Sequence, residues 1–474
     1  MAAFPVGARV THSDFGPGTV LARRFLHKLR VRFDDAPELP RTVREEEVEA
    51  FTDATLEESA LGEEKASVTG AKRKKTRDPR GPRTRARSVG PALPNATERA
   101  DLRQTIEALR MGVVPAHNVD RYTVGRQDEC AAVDPLFQGG MGFRLVWGEY
   151  GVGKTHFLDL LEQLALGRNF VTARLAVDPR EVSLAHPKRL YQAVVRQLRY
   201  PAGGRGLDPL MHGLVDSVEH RDPKGSRSSR FFSPYLHALE WHNEKVQTDV
   251  RDWLMGGDVE MLALNARMRR IDWRGERLLT LSDFRTHGRM YGHMLGTLAS
   301  WSKDAGYAGL MLLFDEIERI DALTGADLRK AAEVMKYLAA ISESEDHLAF
   351  DPERLYRGGH AVHRSIPLRF EDEQPLSVLF AITPLPEAQG VLNGILQDPS
   401  FVIALQPLTA RDLHALVARI VALYRDAYEG FEPSAESFES FIAELDDLID
   451  AHELNPRAVV RETVFVLDRM RLGP

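Results

Sequence analysis

Two short clusters in this 474-residue chain have the residue types and spacing to do chemistry. The first is Gly148-Glu149-Tyr150-Gly151-Val152-Gly153-Lys154-Thr155: a glycine, four residues, then Gly-Lys-Thr, the spacing of a phosphate-binding P-loop. Its glycines let backbone N–H groups curl around phosphate oxygens, and a helix starting there adds a favourable dipole. Gly148, Gly151, Val152, Gly153, Lys154, Thr155 and His156 are therefore expected around a nucleotide's phosphates. Lys154 would reach the β- and γ-phosphates, and the Thr155 hydroxyl would hold Mg²⁺. The second cluster is Asp315-Glu316, which ends an apolar run. Asp315 would orient the Mg²⁺ shell, mostly through water, and Glu316 would polarise the attacking water as a general base. Together they predict a protein that binds and hydrolyses ATP with Mg²⁺.

The elements that must hold these residues are legible around them. Phe143-Arg144-Leu145-Val146-Trp147 reads as a buried strand, and Phe157, Leu160, Leu161 and Leu164 recur at helical spacing after the glycines. The continuous apolar run 309–314 suits a central parallel strand covered on both faces, with its acids at the carboxyl end where ligands bind in open α/β sheets. Residues 170–175 and 376–383 are further strands, the latter ending at Thr383 before a proline. Residues 186–300 are mostly helical and rich in Arg, His, Trp and Met, with no motif of assignable chemistry. His287 and His293 lie there without an evident third ligand, so a solvated face or core packing explains them better than a metal site. Residues 408–474 form a helical lid: Thr409 and Asp412 make a capping-box-like start, and Pro456-Arg457 opens the last helix.

Composition bounds the rest. The length suggests about three domains. No apolar run nears the ~18 residues of a membrane span, the N-terminus lacks a signal-peptide profile, and the single Cys130 excludes an internal disulfide framework. A cytoplasmic setting is expected. Between positions 72 and 87 stand nine Lys/Arg and one acid, a net +8, so the rest of this −7 chain carries −15. The tract is either a nucleic-acid contact or a solvated linker held open by repulsion. The expected organisation is a small β-barrel at 1–52, a basic disordered linker at 53–95, an α/β P-loop domain at 96–407 with its helical insertion, and the lid.

Several motifs carry family resemblances. Gly7-x-x-Val10-x-His12-x-x-Phe15-Gly16-x-Gly18-x-Val20 resembles the Tudor-like, SH3-like barrel of some bacterial helicases and of modules that bind RNA polymerase, which implies docking rather than catalysis. Gly125-Arg126-Gln127-Asp128-Glu129, upstream of the P-loop strand, resembles the box of origin-recognition-like AAA+ ATPases, which places Gly125 and Arg126 near the adenine. By the same resemblance Thr383 is a polar sensor of the γ-phosphate or attacking water, and Arg457 a lid arginine reaching the phosphates. With Arg285, Arg289, Tyr291-Gly292, Met294-Leu295, the Ala305-Gly306-Tyr307-x-Gly309-Leu310 run and Thr383-Pro384, the chain over 96–474 resembles the BrxD-type ATP-binding proteins of bacterial phage-defence (BREX-related) islands. The resemblance implies an AAA+-like parallel sheet with helices on both faces, and an ATPase acting on DNA beside a helicase or other defence protein. An arginine finger is missing where such rings carry one: no Arg or Lys occurs between Pro384 and Ala410. Homo-oligomerisation therefore stays open, as does a second reading, a nucleotide-gated scaffold or switch with slow turnover under a partner's control.

Overall fold

The computed structural model describes residues 8–12, 16–24, 28–34, 41–44, 48–50 and 94–473, except 114, 116–117, 140, 242, 283–287, 356–363, 397 and 451–455. The basic tract at 72–87, all but the end of the linker assigned to 53–95, Arg285 and His287 lie outside the described residues. The chain divides into two units, Met1–Gly90 and Pro91–Pro474.

In the first unit, β1 (Arg9–His12), β2 (Gly16–Arg24), β3 (Lys28–Phe33), β4 (Arg41–Arg44) and β5 (Val48–Ala50) pair antiparallel in the order β4-β3-β2-β1-β5. Val10, Val20 and Val31 are buried. Where a barrel was expected, the described pairings give a five-stranded sheet with β4 and β5 at its edges.

The second unit is α/β. Strands β6 (Gly142–Trp147), β7 (Val171–Ala176), β8 (Leu310–Asp315), β9 (Leu376–Ile382) and β10 (Val402–Ala404) are all parallel, in the order β10-β6-β9-β8-β7. Every residue of β8 and β9 is buried, as strands covered on both sides require of sequences that are apolar except for Asp315 and Ser377. Alternation then sorts the side chains. Phe143, Leu312, Phe314, Val378 and Phe380 pack into a core shared with the insertion. Val146, Met311, Leu313, Leu379 and Ala381 pack into a second core with the P-loop helix and lid.

The helices of the sheet's N-terminal side are α1 (Ala96–Arg110), α2 (Val119–Tyr122), α3 (Gln127–Gly139) and the P-loop helix α4 (Lys154–Gly167). The insertion supplies α5 (Pro187–Gln197), α6 (Asp208–Leu214), α7 (Val218–Arg221), α8 (Ser233–Glu240), α9 (Glu244–Leu254), α10 (Met261–Arg270) and the almost wholly buried α11 (Gly288–Asp304). After β8 come α12 (Gly325–Ser342) and α13 (Pro386–Asn393), and the lid is α14 (Ala410–Ala427), α15 (Ala435–Asp450) and α16 (Pro456–Leu472).

Helix α1 begins at a capping box formed by Asn95 and Glu98, and buries Leu102, Ile106 and Leu109. It packs with the lid rather than with the insertion: Arg110 pairs with Asp468 at 2.7 Å, and Arg103 Nε donates to the Ala427 carbonyl. Residues at the start of the 96–407 segment thus belong structurally with those after 408. The capping box expected at Thr409 and Asp412 is present. His293 is a core residue: it is buried against Phe231 and Phe370, and burial lowers its pKa to about 4. Among the described residues no cluster could hold a metal through His, Cys, Asp and Glu, and no helix is long and apolar enough to cross a membrane.

Candidate functional site

Strand β6 ends at the glycine turn, and the sheet order decides what faces it. Because β9 lies between β6 and β8, the P-loop and Asp315 open on the same edge with Thr383 between them. Gly148 N–H donates to the Ile382 carbonyl, which fixes the start of the loop on β9. Gly151 and Gly153 have φ of 86° and 101°, left-handed values that a side chain would oppose. Gly153 is the N-cap of α4 and offers no capping side chain, so the helix's first N–H groups face the cleft.

Lys154 is folded onto its own loop. Its Nζ donates to the carbonyls of Gly148 (2.8 Å) and Glu149 (3.1 Å) and to Thr383 Oγ1 (2.9 Å). Burial lowers its pKa, opposed by Glu318, Asp315 and Glu149. These contacts keep the ammonium desolvated and aimed into the glycine turn.

Around the loop lies a cavity of about 290 Å³. One part of the lining is Gly151, Val152, Gly153, Lys154, Thr155, His156, Asp315, Glu316 and Glu318; Arg457 lines the cavity too, with its side chain beside Gly112 at the end of α1. The rest is largely apolar and assembled from distant segments: Leu109 of α1, Tyr122 at the end of α2, Val124 after it, Leu408 and Leu416 of the lid, and Val460 of α16. An apolar slot joined to a few convergent polar groups is the usual form of a small-molecule site. Gly125, Gly148 and Thr383 do not line the cavity; they stand behind its wall.

The two carboxylates differ sharply. Asp315 is buried; one oxygen accepts the Glu316 N–H at 3.0 Å, and the other lies 3.2 Å from Arg174. Arg174, on β7, also pairs with Asp159 at 3.0 Å and donates to the Thr155 carbonyl at 3.3 Å. It thereby ties the P-loop helix to the end of β8. Asp159, one turn after Thr155, has its pKa raised to about 7 by burial, with Arg174 opposing. Glu316 is half-exposed and left-handed at φ 60°, a costly conformation for a residue with a Cβ. Its carboxylate pairs with Arg319 at 2.6 Å, and Arg319 also reaches Asp178 at 3.0 Å.

Arg126, expected near the adenine, borders the cavity, and its guanidinium is held by structure: it donates to the Val152 carbonyl (2.6 Å), the Gln406 carbonyl (2.7 Å) and Glu129 (2.9 Å). It braces the P-loop against the connection to the lid. Gly125 (φ 61°) serves the same junction, because a Cβ there would come within 2.9 Å of the Asp412 carboxylate at the lid's first turn. His156 is likewise internal: its Nε2 is 2.8 Å from Thr123 Oγ1, its ring lies 5.2 Å from that of Tyr122, and burial and Arg126 lower its pKa to about 4. Arg457, at the start of α16, is exposed on the cavity wall and makes no ion pair among the described residues.

Sequence reasoning missed Glu318, Arg319 and Arg174. Thr383 Oγ1 donates to Glu318 Oε1 at 2.9 Å, and its N–H donates to Oε2 at 3.2 Å. Lys154, Thr383 and Glu318 therefore form one chain of hydrogen bonds. The alternation Glu316-x-Glu318 was the available signal, but only the 3-10 turn at Ile317–Ala322 shows that the second glutamate points back to β9.

The chain matches the family described as BREX system ATP-binding protein BrxC/D over residues 97–231. No curated protein and no solved structure matches. The Tudor-like and origin-recognition-like resemblances find no match of their own. The matched segment carries the P-loop, Arg126 and Arg174, whereas Asp315, Glu316, Thr383 and Arg457 lie beyond it and are tied to the cleft by geometry alone. Over residues 97–231, the segment that carries the P-loop, this protein is similar to the ATP-binding proteins of BREX phage defence.

Proposed function

We propose that this protein binds ATP in the cleft and hydrolyses it in the service of anti-phage defence, acting on DNA beside a helicase or other defence protein. The observation that carries the reading is the continuity of an apolar slot with the P-loop lysine and three carboxylates, Asp315, Glu316 and Glu318, in one cavity. The slot takes the base, and the open first turn of α4 with Lys154 takes the phosphates. Thr155 and Asp315 fit Mg²⁺, since both line the cavity and offer the oxygen donors a hard cation takes. Bound there, Mg²⁺ would neutralise charge on the phosphates. Glu316 acts as the base for water once its carboxylate leaves Arg319. Thr383, held by Glu318, orients Lys154, and Arg457 closes the phosphate end from the lid.

ATP turnover with and without DNA, wild type beside Glu316→Gln, tests this. DNA-stimulated turnover that disappears in the variant, with ATP still bound, is the expected result; turnover retained in the variant removes Glu316 as the base. A second reading draws on one observation: the Glu316–Arg319 pair occupies the base in the structure as it stands. A nucleotide-gated switch with slow hydrolysis, released by a protein partner, would show turnover indifferent to DNA and raised by that partner.

A further inference from the structure

The insertion contributes helices to one face of the sheet but no residue to the cleft. At the C-terminal end of α10 it carries Arg267, Arg269, Arg270, Arg274 and Arg277 against only Asp272 and Glu276. The turn there is well defined. Asp272 is left-handed (φ 61°), its N–H donates to the Arg269 carbonyl, and the Trp273 N–H donates to the Met268 carbonyl. These bonds close α10 with the paired hydrogen bonds of a helix C-terminus.

Intramolecular ion pairs use both acids and two of the arginines. Asp272 pairs with Arg274, Glu276 with Arg230 and Arg267 with Asp249. Arg269, Arg270 and Arg277 are exposed and make no ion pair among the described residues. Favourable interaction with the helix dipole accounts for cations in a last turn, but not for Arg277, seven residues beyond it.

An aromatic group stands against the same turn. His237 of α8 donates from Nε2 to the Ile271 carbonyl at 2.7 Å, and its ring lies 5.4 Å from Trp273 and 6.1 Å from Trp241. Trp273 is buried, but Trp241 is 48% exposed. The chain's other tryptophans, Trp147, Trp253 and Trp301, are buried or half-buried. A half-exposed indole joined through His237 to the turn that carries uncompensated guanidinium groups offers a stacking face on the same part of the insertion as phosphate donors.

We propose that Trp241 with Arg269, Arg270 and Arg277 forms a docking surface for single-stranded nucleic acid. Indole stacking on a base and guanidinium contacts to phosphates recognise that ligand without reading sequence. An acidic protein segment would satisfy the arginines but give the exposed indole no planar partner. The proposal rests on the reading that this protein acts on DNA, and it names where.

The test is binding of a fluorescent oligo-dT to the full chain at low salt, without nucleotide, together with quenching of intrinsic tryptophan fluorescence. Trp241→Ala should weaken binding about ten-fold, and Trp241→Phe should retain most affinity while abolishing the quench. Arg269→Gln with Arg270→Gln should lower the slope of log affinity against log salt by about 1.4. All these side chains are exposed, so circular dichroism and ATP binding should be unchanged. If the wild type binds oligo-dT and the variants bind it equally, this surface is overturned while action on DNA stands through another segment. If the wild type binds no oligo-dT, this surface falls, and ATP turnover with duplex DNA decides whether action on DNA falls with it. Quenching by an oligo-glutamate in place of oligo-dT would also overturn the assignment.

Discussion

The two ends of the cleft were built differently. The phosphate end comes from two contiguous stretches, the loop into α4 and the end of β8, whose backbones already point N–H groups and carboxylates at one place. The apolar end draws single side chains from α1, the turn after α2, α14 and α16, more than three hundred residues apart in sequence. What a local motif makes depends on spacing alone, and what a wall makes depends on the lid and α1 sharing one core. Phosphate binding should therefore survive damage to the lid face, whereas recognition of the base should not.

The largest expected effect is at the phosphate end. Lys154→Ala should cost ATP affinity roughly 100-fold, as loss of charge-assisted hydrogen bonds implies. It should cost inorganic tripolyphosphate as much, in calorimetric titrations of both ligands. Unchanged affinity would dissolve the distinction between the two ends.

Next is the joint between them. His156 has a folded pKa near 4 against an ordinary 6.5, so as pH falls the unfolded chain takes up the proton first. Its contribution is complete above pH 6.5 and lost as pH drops toward 4, on the order of 2–3 kcal/mol. Asp159, raised to about 7 from an ordinary 3.8, runs the other way and loses its contribution as pH rises between those values. The comparison of denaturant unfolding between pH 4.5 and 6.5 in wild type and His156→Gln isolates the histidine. In the variant, stability should gain less, or fall more, as pH rises across this window, because the opposing contribution of Asp159 is left alone; equal slopes would show that His156 titrates as if exposed.

At the apolar end, Val460→Asp should weaken ATP about ten-fold while leaving tripolyphosphate unchanged, because it places a carboxylate against the base. Equal losses for both ligands would mean that the slot does not hold the base. The smallest effect concerns Arg319. Its pair with Glu316 is partly exposed and so weak, about 1 kcal/mol at most. Arg319→Ala should raise steady-state ATP turnover by up to about five-fold, and a fall would make Arg319 an aid to catalysis instead of a restraint.

Much of this was readable in advance. Strand, glycine turn and helix around Lys154, the buried run ending in Asp315, and the capping box at Thr409 follow from local rules of period, dihedral freedom and hydrogen bonding. That Arg126 braces the loop was not legible, because its partners are carbonyls of Val152 and Gln406, and a sequence does not display which carbonyls are free. His156 lines the cavity beside Thr155, and only the structure shows its side chain against Tyr122 and Thr123. Glu318 was passed over because its importance comes from β9, which lies next to β8 in space and about sixty residues away in sequence.

The sequence by itself determined the phosphate-binding loop, the buried strand that carries the acids, the helical character of the insertion and lid, and the charge asymmetry. Each depends on neighbours within a few turns of chain, where backbone geometry and hydrophobic period act directly. Only the tertiary structure decided that β9 would slot between β6 and β8, that α1 would join the lid, and that Glu316 would be paired while Asp315 was buried. Those outcomes are set by which faces of the sheet are covered and by what, a competition among packings that no single stretch of the chain encodes.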